Sequence, residues 1–256
     1  MQMPGHKFIN NKNMKQITLI TGAGRGIGKE IALRFADEKH DLILLVLKNK
    51  QKFELTKILK KKRINFKIFV GDLKNTKFIN SLSLKIKKVN NLINNAALAN
   101  TKHFLKVNNR ELIDLIDVNL KAPFLLSQIF AKKMIKNKIK GSIIHLSSQL
   151  GHIGAYNRSI YCMSKFGLEG LNKAMAMDLG RYGIRSVTVA PTKTIVNQEE
   201  RIKTKKRLNF IKKKIPLKKF STTKQIADIV FFLTTDKSAS ITGSSILSDG
   251  GWTAGK

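Results

Sequence analysis

Short apolar runs alternate with segments of helical period along almost the whole chain, and few architectures accept that rhythm. Gln16–Thr21 is a short apolar run that ends in a glycine-rich turn. Ile27–Glu38 has helical spacing, with Ile27, Ile31, Leu33, Phe35 and Ala36. Leu42–Leu47 is apolar without interruption, as expected of a strand covered on both faces. Phe53–Lys62 reads as helix, Asn65–Val70 as strand, Thr76–Lys87 as amphipathic helix and Asn91–Asn95 as a further short strand. Glu111–Asn137 is a long helical stretch with a bend expected near Pro123. Ser142–Ser148 and Ile184–Ala190 read as strands on either side of a helix over Ser159–Leu179. Lys224–Thr234 is helical and Ser244–Ser248 is a last strand. Strands alternating with helices over short joins predict an α/β chain with one doubly wound parallel sheet and helices on both faces. No break in composition divides the pattern, so residues 16–256 are expected to form one domain. Only Thr192–Thr223, long, polar and very basic, stands outside the alternation.

Composition removes other classes. The single cysteine, Cys162, excludes an intramolecular disulfide and a cysteine-rich zinc site. No run of about 18 uninterrupted apolar residues occurs, so no membrane span is expected. At 42% apolar the chain is too hydrophobic for disorder. Met1–Lys15 is polar and basic and lacks the apolar core of a signal peptide. It predicts a disordered extension on a cytoplasmic protein, with Met14 a second candidate start. The formal charge is +33, from 40 lysines and 9 arginines against 16 acidic residues. Two readings of that charge stay open: compositional drift toward Lys, Ile and Asn, or attraction to polyanions. No His, Asp or Glu cluster has metal-ligand spacing, so no metal is expected.

Thr21-Gly22-Ala23-Gly24-Arg25-Gly26-Ile27-Gly28 closes the first strand and opens the first helix. Glycine is needed there because a side chain would hold a pyrophosphate away from the backbone amides and the helix N-terminus. The turn therefore predicts nucleotide binding. Further along, Tyr161 and Lys165 lie four apart, on one face of a helix. Ser148 ends the preceding strand, thirteen residues upstream of Tyr161. A strand-end serine facing a helix-borne tyrosine can clamp a carbonyl. Reducing a ketone needs hydride at carbon and a proton at oxygen. Free tyrosine has a pKa of about 10, too high for ready proton exchange at neutral pH, and a nearby ammonium stabilises phenolate. Tyr161 is thus expected to be general acid in reduction and base in oxidation. Lys165 is expected to lower its pKa, and Ser148 to donate to the developing oxyanion.

The spacing Gly22-x-x-x-Gly26-x-Gly28 resembles that of the short-chain dehydrogenase/reductase family. Further motifs follow in the family's order: Gly71-Asp72-Leu73, Asn94-Asn95-Ala96-Ala97, Asn119 in Asp117-Val118-Asn119-Leu120, Ser148 with Tyr161-x-x-x-Lys165, Pro191-Thr192, and Asp249-Gly250-Gly251-Trp252. Ala97 and Thr192 stand where glycine is usual. The resemblance covers about residues 16–252. It implies a Rossmann fold and a nicotinamide cofactor. It implies a catalytic set of Ser148, Tyr161, Lys165 and Asn119, with Lys165 also on the nicotinamide ribose and Asn119 positioning a water that resupplies the proton. Cofactor contacts are implied for Thr21, Gly22, Arg25, Gly26, Ile27, Gly28, Lys48, Asp72, Leu73, Asn95, Ala96, Tyr161, Lys165, Pro191, Thr192 and Thr194, with Asp72 at the adenine. No acid ends the second strand. Lys48 and Arg25 suit a 2′-phosphate, so NADP(H) is favoured over NAD(H). The resemblance also implies a homo-oligomer, a dimer or tetramer, formed through the Glu111–Asn137 helix and the Tyr161 helix.

Other residues carry weaker expectations. His145, within a strand, reads as a satisfied core histidine, and Cys162 as packing. His152 and Arg158 lie where family members line the substrate pocket, and Arg158 suits a carboxylate or phosphate. Tyr156 either lines the pocket or covers the core. Arg201–Lys219 holds ten basic residues in nineteen and no acid. By resemblance this is a mobile substrate flap, within about residues 192–223. It suits an anionic substrate or a solvated helix equally. It lacks the aromatic pattern of a nucleic-acid platform, so no specific nucleic acid is expected. The expected activity is NAD(P)-dependent reduction of a small-molecule or carrier-bound carbonyl, most like a 3-oxoacyl-thioester reductase of fatty acid biosynthesis. A sugar, sugar-acid or polyol dehydrogenase is the alternative within the family. A non-catalytic Rossmann domain used as a basic binding module is the alternative outside it.

Overall fold

A computed structural model describes residues 15–194 and 205–255. The N-terminal extension and the first part of the basic segment lie outside the described residues. Among those described, seven strands form one parallel sheet: β1 (Ile17–Thr21), β2 (Asp41–Val46), β3 (Phe66–Val70), β4 (Asn91–Asn94), β5 (Ser142–Leu146), β6 (Arg185–Pro191) and β7 (Ser245–Ser248). Their spatial order is β3-β2-β1-β4-β5-β6-β7. The winding reverses between β1 and β4, which opens a crevice beyond the carboxyl ends of those strands.

Alternate residues of each strand face opposite helical layers, which explains the uninterrupted apolar runs. Ile20, Leu44, Ile93, Ile144 and Val187 pack under α1 (Gly26–Asp37), α2 (Asn49–Leu59) and α8 (Thr223–Phe232). Leu19, Leu45, Leu92 and Ile143 pack under α3 (Thr76–Lys85), α5 (Ala122–Lys136) and the C-terminal half of α6 (Ser159–Leu179). On the first face α1 is locked to α8. The rings of Phe35 and Phe231 meet edge to face at 5.3 Å, and Arg34 Nε donates to Asp228 Oδ1 at 2.7 Å.

Most element ends fall within a residue or two of expectation, and the larger departures have local causes. Helix α2 begins at Asn49 rather than Phe53, because Gln51 Oε1 accepts the N–H groups of Leu47 and Lys48, both at 3.1 Å. That satisfies donors a helix start leaves open. The Glu111–Asn137 stretch is α4 (Asn109–Ile116), a π-helical segment (Asp117–Lys121) and α5. The irregularity precedes Pro123 rather than lying at it. Proline has no N–H to offer the Asn119 carbonyl four residues back, and the ladder widens to five, with Ala122 N–H on the Asp117 carbonyl. Within the basic segment, Lys205–Lys214 forms a helix, α7.

Candidate active site

The crevice at the switch of winding is a cleft of about 1800 Å³. Every site residue expected from the sequence lines it except Thr21, Asn119 and His152. One wall is the glycine turn and the end of β2. Gly22 has φ +65, and a Cβ there would sit 2.9 Å from Ala96 Cα. A Cβ on Gly28 would collide with the Gly22 carbonyl and the Asn95 side chain. The turn and the β4 end therefore approach closely because both positions lack a side chain. Arg25 and Lys48 stand on this wall, and Asp72 and Leu73 after β3. Asp72 Oδ1 accepts the Lys74 N–H at 2.9 Å.

Thr21, Asn119 and His152 lie off the cleft wall, each held by its own partners. Thr21 is buried behind the wall. Its hydroxyl oxygen accepts the N–H groups of Asn95 and Ala96, both at 2.9 Å, so it fastens β1 to the β4 end rather than facing a cofactor. Asn95 Nδ2 returns the bond to the Thr21 carbonyl at 2.9 Å. The Asn119 amide is engaged on both sides. Its Oδ1 accepts the Leu98 N–H at 2.7 Å, and its Nδ2 donates to the Leu98 carbonyl at 2.9 Å and to Ser164 Oγ at 3.1 Å. Its side chain thus holds the loop after β4 against α6. His152 turns away from the cleft: its Nε2 lies 3.0 Å from Ser245 Oγ and 3.2 Å from Glu169 Oε1. A nearby carboxylate and hydroxyl draw the imidazole to the β7 side of α6.

At the other end of the cleft Ser148, Tyr161 and Lys165 converge. Ser148 Oγ accepts the Leu150 N–H at 3.2 Å and caps the short turn Gln149–Gly151. Lys165 is buried, and its ammonium donates to the Leu146 carbonyl at 2.6 Å. Its Nζ lies 5.7 Å from the centre of the Tyr161 ring. Burial draws the Lys165 pKa down to about 8, with the Glu169 charge acting the other way. Burial raises the Tyr161 hydroxyl above the ordinary phenol value, opposed by its bond to Ser148 and the charge of Arg158. The phenol is protonated at neutral pH, the form from which a proton can be given.

Arg158 lines the cleft, and its Nη1 donates to the Asn100 carbonyl at 2.6 Å. Tyr156 is fully exposed on the rim. His145 is buried and its Nδ1 lies 3.3 Å from Asn94 Nδ2, but its Nε2 has no hydrogen-bond partner among the described residues, so it is only half satisfied. Burial, with the Lys165 charge, lowers its pKa to about 3. The sequence reading missed Gln51, Ile211, Lys214 and Trp252 on the cleft wall. Trp252 follows the Asp249-Gly250-Gly251 motif, which was the one available signal. Ile211 and Lys214 come from α7, within the basic segment expected to form a substrate flap. Among the described residues no group of three or more His, Cys, Asp or Glu could hold a metal ion, and no helix is long and apolar enough to cross a membrane.

A family profile described as enoyl-(acyl carrier protein) reductase matches residues 22–253. L-xylulose reductase of Caenorhabditis elegans is 30% identical over 98% of this chain and 99% of its own. The 3-oxoacyl-(acyl-carrier-protein) reductase FabG of Rickettsia conorii is 33% identical over 91% of this chain and 95% of its own. A solved structure of 4-hydroxyisoleucine dehydrogenase complexed with NADH superposes with a TM-score of 0.87 at 32% identity, covering 94% of this chain and 100% of that one. The chain is an oxidoreductase of the short-chain dehydrogenase/reductase family.

Proposed function

We propose that the chain transfers hydride reversibly between NADP(H) and a carbonyl or secondary alcohol, with a 3-oxoacyl thioester or another anionic carbonyl compound as substrate. The observation that carries this reading is the convergence of Ser148, Tyr161 and Lys165 on the same cleft as the glycine turn. The cleft residues fit a nicotinamide cofactor. Gly22 leaves the backbone bare for a phosphate, and the buried Thr192 hydroxyl on the cleft wall has no partner among the described residues. Pro191 and Thr194 flank it. Arg25 and Lys48 supply charge for a 2′-phosphate, with no acid at the end of β2 to repel one. When bound, the nicotinamide supplies or accepts the hydride.

The chain's own residues then do the following. Tyr161 Oη gives a proton to the substrate oxygen in reduction and takes it back in oxidation. Ser148 accepts from Leu150 through its lone pair, which leaves its O–H to donate to the same oxygen as charge grows there. The Lys165 ammonium steadies the phenolate left on Tyr161 and offers donors to the cofactor ribose. Asn119 acts on this set through the loop it anchors. Arg158, Lys193 and Lys214 bring positive charge to the cleft, which supports an anionic substrate. A sugar or polyol substrate is the second reading, favoured by the full-length likeness to an L-xylulose reductase. Exposed Ile113, Phe124, Met163 and Phe166 on α4, α5 and α6 support a homodimer through those helices.

The test follows loss of NADPH and of NADH with a short 3-oxoacyl thioester and with L-xylulose, parent beside Tyr161→Phe. NADPH consumption that vanishes in the variant is expected. Consumption that survives Tyr161→Phe overturns the assignment of the proton donor, and failure to bind either cofactor overturns the enzyme reading. Lys48→Glu is expected to raise the KM for NADPH about tenfold and leave that for NADH nearly unchanged. An unaltered ratio overturns the NADP preference.

A further inference from the structure

A row of polar residues crosses the sheet beneath α6. Asn94 of β4, His145 of β5, Thr188 of β6 and Ser245 of β7 are paired in register and so share one face. Glu169 descends from α6 onto this row and is 7% exposed. Its Oε2 accepts from Thr188 Oγ1 at 2.7 Å, and its Oε1 accepts from Ser245 Oγ at 3.3 Å and lies 3.2 Å from His152 Nε2. None of these contacts belongs to the reaction described above. A buried carboxylate is costly to hold unless positive charge is near. One helical turn back along α6 stands Lys165, equally buried, its ammonium resting on a neutral carbonyl. His152 stands nearest the carboxylate, and Lys165 is the buried cation on the same face of α6. Gly151 packs against both residues of that face. A Cβ there would press on the Lys165 carbonyl at 3.1 Å and the Glu169 Cγ at 3.2 Å, so the turn that Ser148 opens is seated on α6 between these two residues.

We propose that Glu169 is a positioning residue that keeps the Lys165 ammonium charged and in place, with Thr188, Ser245 and His152 holding its carboxylate in the orientation this needs. The link to catalysis rests on the function proposed above; the link to Lys165 does not. The groups that face this pair are His152 from the turn after β5, His145 from β5, Tyr161 on α6 and Arg158 at the start of α6. The burial that draws Lys165 down to about 8 is opposed by Glu169. Removing the carboxylate therefore leaves the amine neutral over more of the physiological range.

The test reads Lys165 directly. Parent and Glu169→Gln, without cofactor, are labelled with acetic anhydride over a pH series, and labelling of the Lys165 peptide is quantified by mass spectrometry. The expected result is a midpoint displaced to lower pH, raising labelling at neutral pH on the order of tenfold. An unmoved midpoint overturns the proposal. Should Glu169→Gln not fold, Glu169→Asp carries the test, with a smaller displacement in the same direction expected and none overturning it. The second readout is kcat against pH with NADPH. The alkaline limb is expected to move to lower pH in Glu169→Gln while KM for the carbonyl substrate holds. A uniform loss of kcat with an unchanged profile means a merely structural role and overturns the proposal. If labelling shifts but the parent oxidises no NADPH with any carbonyl offered, the function proposed above fails and the coupling of Glu169 to Lys165 stands.

Discussion

Two parts of one sheet face are built on opposite principles. Under α5 the strands offer Leu19, Leu92 and Ile143 to Leu126, Phe130 and Met134, and that layer is mainly apolar, with the Asn94–Ser127 bond at its edge. Under α6, two strands away, they offer Ser186, Thr188 and Ser245 to Asn172 and Glu169. Hydrophobic burial holds the first region, where each side chain contributes by area and shape. The second is held by partners: Ser186 Oγ donates to Asn172 Oδ1 at 2.8 Å, and Asn172 Nδ2 donates to the Ser244 carbonyl at 3.1 Å. α6 carries Tyr161 and Lys165, so the helix that bears the chemistry sits on the polar layer. A directional bed fixes the height and rotation of a helix more tightly than an oily one.

Variants can break this contrast or sharpen it. The largest expected effect is Tyr161→Phe, a loss of about 10²- to 10⁴-fold in kcat with the unfolding midpoint unchanged, read by NADPH consumption beside thermal melting. Next is Phe130→Ala, a cavity in the apolar region worth about 3–5 kcal/mol of stability. Urea titration measures it, and the KM of the folded fraction is expected to hold. Asn172→Ala strips the partner from the fully buried Ser186 hydroxyl, for about 1–3 kcal/mol. Unlike Phe130→Ala it is expected to lower kcat as well, because α6 loses part of its seat. A loss of stability alone would erase the contrast.

The last effect is a slope, small near neutral pH. His145 titrates near 3 in the fold against about 6.5 when unfolded, so the unfolded chain binds the extra proton. Its folded pKa is depressed, which for a base means that stability falls as pH drops from about 6.5 toward 3, by up to about 1.4 kcal/mol per pH unit. His145→Thr is expected to flatten that part of the acid stability curve relative to the parent, as measured by denaturant midpoints at stepped pH.

How far the sequence could be read follows the same division. The strands were visible because covered strands are apolar along their whole length, and Leu42–Leu47 differs from β2 by a single residue at each end. The converging Tyr161, Lys165 and Ser148 were legible because helix and strand geometry are local. What was not legible depends on particular side-chain contacts, some near in sequence and some distant. Gln51 moves the start of α2 through its own side chain, and Pro123 displaces the helix irregularity upstream of itself. The direction of His152 is set by Glu169 and Ser245, 17 and 93 residues on. Ile211 lies in the basic stretch whose two readings, substrate flap or solvated helix, its composition left open.

The Thr21 hydroxyl joins partners 74 and 75 residues further along the chain. In folding time, the floor of the cleft is a late closure. β1 to β3 can pair as soon as they exist, but the glycine turn acquires its opposite wall only when β4 arrives. Loop-closure entropy is met before that contact repays it. During synthesis there is thus an interval in which the phosphate-side turn is complete but the cleft has no second side. A nascent chain in that interval offers a cofactor half a site, and binding waits for the clasp rather than helping to make it.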